Sequence, residues 1–174
     1  MTGDLALIRA VRALRDGAVI AYPTEGVWGL GCDPFNRDAV EFLLALKRRP
    51  SEKGLILIAA ESDMFAPLLD PLPASLRHQL DASWPGPNTW IVPDPDHLSP
   101  PWIRGRHNSL AVRVTAHPQA ARLSRAFGGP LILNGLVFTA VGIAVWVLGR
   151  PSLATVATTL FFALEMYVAK RILC

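Results

Sequence analysis

The sequence predicts an α/β domain built on a mixed sheet, followed by an apolar tail. Two observations carry the domain. Up to about Gly129, short β-rich apolar runs alternate with segments of helical apolar period. Charged, proline-marked stretches separate them, a pattern that argues for strands and helices in layers. A third observation carries the tail. After Pro130 the only charged residues are Arg150, Glu165, Lys170 and Arg171.

The elements follow in order. Residues 5–15 place apolar side chains at helical spacing, and Gly17 stops that helix. Residues 18–22 form a short β-rich run broken by Pro23. Residues 37–47 are helical again, with Asn36 as N-cap. Residues 55–60 are a continuous apolar run, which reads as a buried strand. Short helices are predicted at 64–69 and 75–82, and strands at 89–92 and 109–114. Residues 117–127 form a helix with Pro118 in its first turn. Residues 130–133 can form one more strand.

Composition narrows the class. The chain has 174 residues, 51% hydrophobic and 18% charged, with a net charge of +3 and a mean hydropathy of +0.32. Such a chain is too apolar for disorder and long enough to bury a core. The small positive balance permits an anionic partner without demanding one. Cys32 and Cys174 offer no disulfide framework, so a reducing compartment is the default. No apolar signal segment opens the chain.

The tail holds two apolar stretches, 131–149 and 153–169, separated by Arg150-Pro151. Each approaches the roughly 20 residues needed to span a bilayer as a helix. One reading is a membrane hairpin with both ends on the cytoplasmic side. The other makes these stretches core helices or strands of the domain.

Four segments carry residues suited to chemistry. Residues 22–33, YPTEGVWGLGCD, follow a strand and hold three glycines, a hydroxyl at Thr24 and a carboxylate at Glu25. Such a loop can approach a ligand through its backbone or serve as a structural turn. Residues 46–54, LKRRPSEKG, put four cations within seven residues, at a helix end and the loop beyond. They suit a phosphate site, and equally a helix C-terminus. Residues 84–90, WPGPNTW, form a rigid turn that can present Thr89. Residues 109–118 place Arg113 between valines inside a strand, where it can point into a polar cleft and bind an anion. His78, His97, His107 and His117 show no metal-ligand spacing, and Cys32 reads as a packing residue. Asp94 and Asp96, in a proline-rich turn, read as solvated. Trp28 and Trp90 read as pocket wall or core.

In this order and spacing, AYPTEGVWGLGCDP, LKRRPSEKGLILIAA, WPGPNTWIVP and SLAVRVTAHP resemble the YrdC/TsaC-like family of threonylcarbamoyl-AMP synthases. The resemblance covers about residues 5–133. It implies an α/β fold with a twisted mixed sheet around a concave basic cavity. It also implies a reaction that joins L-threonine, bicarbonate and ATP, accompanied by Mg2+, into threonylcarbamoyl-AMP with release of pyrophosphate. The product serves t6A modification of tRNA, and some members bind double-stranded RNA. By resemblance, Thr24 and Arg113 contact threonine, while Lys47, Arg49, Lys53 and Thr89 bind ATP. No acid, base, nucleophile or metal ligand is assigned. Ile58 stands where many relatives carry a histidine.

The resemblance ends at Pro130-Leu131-Ile132-Leu133-Asn134-Gly135. There the family reads Ser-x-Ser-Ala-Asn, and Leu133 and Gly135 replace the serines. The expected division is an incomplete family domain at 1–133 and a hydrophobic tail at 134–174. The expected protein is a cytoplasmic synthase of impaired activity, with membrane contact through 131–169 if the tail inserts at the inner membrane. The alternatives are a non-catalytic nucleotide- or RNA-binding module and a membrane-tethered remnant.

Overall fold

The computed structural model describes residues 2–26 and 28–135. Among them, six strands form one mixed sheet: β1 (Ile20–Pro23), β2 (Trp28–Gly31), β3 (Ile56–Ala59), β4 (Trp90–Pro93), β5 (Ser109–Val114) and β6 (Leu131–Gly135). Their order across the sheet is β1-β2-β6-β3-β5-β4. Only β3 and β5 run parallel; every other pairing is antiparallel. The expected mixed sheet is therefore present. The helices are α1 (Thr2–Arg15), α2 (Arg37–Leu46), α3 (Ala66–Leu69), α4 (Ala74–Ser83), α5 (Pro101–Arg104) and α6 (Pro118–Phe127).

Strand alternation sorts the core into two layers. Leu57, Ala59, Leu110, Val112, Val114 and Ile132 face one cluster, shared with Val40, Leu43 and Leu44 of α2 and Ile103 of α5. Ile20, Tyr22, Ile58, Leu131 and Leu133 face the other, under α1 and α6. Asn36 caps α2 as expected, accepting a hydrogen bond from Ala39 N at 3.1 Å. Gly128, at φ 94°, ends α6.

Four expectations are corrected. Residues 28–31 are not loop but strand β2, hairpinned to β1. Gly29 and Gly31 there make room for Leu133 and Tyr22: a Cβ on Gly31 would lie 2.6 Å from a Tyr22 ring carbon. The helix at 64–69 starts as a 3-10 turn at Ser62–Phe65. Asp94 is not solvated. It is 1% exposed and accepts hydrogen bonds from Leu98 N (2.7 Å), Ser99 N (3.0 Å) and the Ser99 hydroxyl. The turn folds back on its own carboxylate because the local N–H groups have no strand partner.

The fourth correction concerns the tail. Leu131–Gly135, the start of the first apolar stretch, is a buried strand in the middle of the sheet, in agreement with the strand expected at 130–133 and not with a membrane helix beginning there. The rest of the proposed hairpin, 136–149 and 153–169, lies outside the described residues. Among the described residues no helix is long and apolar enough to cross a membrane.

Candidate substrate-binding site

The register of the sheet builds the site. β4 and β5 are antiparallel with Trp90 opposite Val112, so one step further places Thr89 opposite Arg113. Their side chains share a face, and Arg113 Nε donates to Thr89 Oγ1 at 2.8 Å. On the other side, β3 sets Ile58 beside Arg113. Ile58 belongs to the core under α1 and α6, so Arg113 emerges on that same face.

Glu25 completes the arrangement. Its Oε1 accepts from the Thr115 hydroxyl at 2.7 Å and from Ala116 N at 2.9 Å. Its Oε2 stands 3.6 Å from Arg113 Nη1, with the two side chains only 16% and 17% exposed. That distance is a charge contact, too long for a hydrogen bond. Burial alone would raise the Glu25 carboxyl. The bonds from Thr115, its own N–H and Ala116, with the Arg113 charge, outweigh burial and hold it below its ordinary value. Thr24, beside it in the chain, is buried.

The Glu25 contact also shows the shape of the sheet. β1 and β5 are four strand spacings apart, about 19 Å in a flat sheet at 4.8 Å per strand. A glutamate side chain at the end of β1 cannot cross that gap. The β1–β2 hairpin must curl over the face that carries Arg113, which makes that face concave. Tyr22, on the same hairpin, donates its hydroxyl to Ile132 O at 2.6 Å and is fully protonated at neutral pH, its pKa raised chiefly by burial.

The basic residues form a separate group. α2 ends in a Schellman turn: Arg48 N bonds Ala45 O at 3.0 Å and Arg49 N bonds Leu44 O at 2.9 Å. Arg48 occupies the left-handed position at φ 47°, where glycine is usual. Arg49 Nη2 donates to Gly54 O at 2.9 Å, closing the loop on itself. The loop is braced against the segment after α5. Leu55 N bonds Ile103 O at 2.8 Å, and Arg106 N bonds Glu52 O at 3.2 Å. Gly54 and Gly105 face each other at φ 64° and 66°. A Cβ on Gly54 would come within 2.8 Å of Arg104 O, so only glycines allow the backbones this close. Lys53 is exposed and Lys47 half-buried. Beside the loop, α2 and residues 48–51 border an open surface depression lined by Glu41, Leu44, Arg48, Arg49 and Ser51.

The structure thus joins Thr89 and Arg113 directly and brings the Thr24–Glu25 segment to them. Among the described residues no hydrogen bond or ion pair links Lys47, Arg49 or Lys53 to that cluster. Sequence reasoning missed the roles of Glu25 and Thr115. Thr115 had a signal, because two residues beyond Arg113 it shares its strand face. Glu25 had none beyond its place in the loop, since its partners are 88–91 positions away.

The face next to Arg113 is otherwise apolar. Leu133 is buried in the core beside Ile56, and Gly135 pairs with Gly29. Asn134 pairs with Leu30 and so faces the opposite core, where its Nδ2 has no partner among the described residues. It cannot substitute for a group on the Arg113 face. Ile58, 1% exposed, is packing. Burial and the neighbouring Asp33 push the Cys32 thiol up to about 12, which makes it inert.

A family profile covering Sua5, YciO and YrdC, described as "Telomere recombination", matches residues 12–144. The threonylcarbamoyl-AMP synthase of Halorhodospira halophila is 59% identical over 123 residues, covering 71% of this chain and 64% of that protein. The enzyme of that name from Hahella chejuensis is 54% identical over 124 residues, 71% of this chain and 67% of that protein. The crystal structure of P. abyssi Sua5 complexed with L-threonine superimposes with a TM-score of 0.67 at 30% identity, covering 74% of this chain and 37% of Sua5. The chain therefore spans about two thirds of the curated relatives it matches, and less than half of Sua5.

Proposed function

The chain belongs to the Sua5/YciO/YrdC family, and from that premise we propose that it acts as a threonylcarbamoyl-AMP synthase of low turnover. The observation that carries the reading is the Arg113 guanidinium, held by Thr89 and Glu25 on a concave face with its terminal amino groups making no hydrogen bond among the described residues. A planar fork so placed suits a carboxylate or phosphate.

In the reaction, the carbamate formed from L-threonine and bicarbonate attacks the α-phosphorus of ATP, and pyrophosphate leaves. Both reactants are anionic. The protein's task is to supply cations and alignment rather than a covalent nucleophile. Arg113 would take the threonine carboxylate, with Thr24 beside it. Lys47, Arg49 and Lys53 would take the ATP phosphates, and Thr89, bonded to Arg113, would line the nucleotide and threonine pocket. ATP enters with Mg2+. Among the described residues no group of three His, Cys, Asp or Glu side chains could hold a metal. The product's use in t6A modification of tRNA, and a cytoplasmic location, belong to the same proposal.

Low turnover is expected because Leu133 and Gly135 offer no hydroxyl on the Arg113 face. Two missing donors weaken nucleotide binding by about 0.5–1.5 kcal/mol each. The test is threonine- and bicarbonate-dependent pyrophosphate release by the purified 174-residue chain. Slow release with measurable threonine and ATP binding is expected. Turnover equal to that of a full-length relative would refute the impairment. Binding of both ligands with no release at all would favour a non-catalytic binding module, the reading that the apolar Leu133 supports.

A further inference from the structure

We propose that Glu25 is a positioning residue: it ties the tip of the β1–β2 hairpin to the end of β5 and sets the Arg113 fork toward the ligand. Two bonds from Thr115 and Ala116 fix Oε1. The whole carboxylate is thereby fixed. His117 N donates in turn to Thr115 Oγ1 at 3.0 Å, so the anchoring hydroxyl is itself held at the start of α6. With Oε1 committed, Oε2 stands as a fixed negative charge 3.6 Å from Arg113 Nη1. It makes no hydrogen bond among the described residues.

Thr89 and Glu25 then act on different parts of one guanidinium. Thr89 takes the Nε–H and fixes the plane. Glu25 offsets the cost of leaving the terminal amino groups of a largely buried cation unbonded, and does so without occupying those donors. A direct bidentate pair would close the fork; a charge at this separation leaves it open. The arrangement also couples loop and strand. A ligand carboxylate drawn to Arg113 meets Thr24 only while Glu25 holds the hairpin tip in place. Glu25 need not touch the substrate to do this.

The inference that this fork receives threonine rests on the proposed function; the positioning of Arg113 does not. The experiment therefore reads both. In the full chain, Glu25→Gln keeps the shape and the Oε1 acceptor but removes the charge. The Arg113 Nε–H resonance should exchange with solvent at least about tenfold faster in this variant. Threonine affinity should fall about tenfold while ATP affinity changes less than twofold. Thr115→Val, which removes one of the two anchoring bonds and keeps the charge, should show the same threonine-selective loss, about threefold, and serves if Glu25→Gln does not fold. A folded Glu25→Gln with an unchanged Arg113 resonance overturns the inference. So does an equal loss for both ligands, which is what simple loosening of the fold would produce. A wild-type chain that binds no threonine, yet shows the Arg113 change, overturns the proposed function and leaves the positioning role standing.

Discussion

The Arg113 cluster and the 47–54 loop both gather charge, yet they are held in opposite ways. Around Arg113, side chains hold side chains: Thr89, Glu25 and Thr115 come from three segments far apart in the chain. In the basic loop, backbone holds backbone. Two glycines at positive φ let residues 52–55 and 103–106 interlock, while Lys53 stays exposed. The first arrangement presets one donor fork, as recognition of a small, rigid ligand demands. The second fixes a platform that carries the exposed Lys53, as the proposed contact with a flexible polyphosphate would require.

The sharpest way to break this contrast is through the loop's backbone. Gly105→Ala forces a Cβ to 2.7 Å from Gly54 N in a backbone region closed to other residues. It should cost about 3 kcal/mol, strain and clash together. Urea unfolding measures it, and a loss under 1 kcal/mol would mean that the interlock is not what holds the loop.

Next comes Arg113→Lys, which keeps the charge but not the planar fork. Threonine affinity should drop by about 2 kcal/mol, roughly thirtyfold, with ATP little affected. Calorimetric titration with each ligand decides the point, and equal losses would merge the two regions into one site.

Lys47→Ala and Arg49→Ala should each weaken ATP binding by about 1 kcal/mol. Only Arg49→Ala should also lower stability, by about 1 kcal/mol, because only Arg49 bonds the Gly54 carbonyl. Comparing thermal midpoints with nucleotide affinity for the pair separates platform from ligand contact.

The smallest effect is on pH dependence. The Glu25 carboxyl is lowered in the fold, so its contribution is complete above its unfolded value of about 4.5 and fades as pH falls through the lower native value. The wild-type chain should lose more stability than Glu25→Gln as pH falls from about 5, just above the unfolded value, through the lowered native one. Parallel curves in urea would remove Glu25 from the balance.

Much of this was legible in the chain. Helical period located α1, α2 and α6, and Asn36 marked its cap. β3 and β5 stood out as apolar runs, and the alternation around Arg113 announced a polar group on a core strand. The errors have separate causes. β2 looked like a loop because Trp28-Gly29-Leu30-Gly31 lacks β-branched residues; it is a strand because Tyr22 and Leu133 fill the space over its glycines. Asp94 looked solvated because its partners are turn N–H groups, which no residue pattern displays. Residues 131–135 read both as a strand and as the start of a membrane helix, because a strand buried on both faces is as uniformly apolar as a transmembrane segment; they are the strand β6.

The sequence by itself determined the α/β class, the family and the cations of the basic loop. All three rest on local residue identity and order. Tertiary structure alone decided that Glu25 meets Thr115 and Arg113, that Asn134 faces away from them, and that the apolar run after Pro130 begins inside the sheet. Those facts depend on strand register and on the curl of a hairpin over the sheet. Both arise from pairings between residues about 90 or more positions apart, which spacing along the chain does not encode.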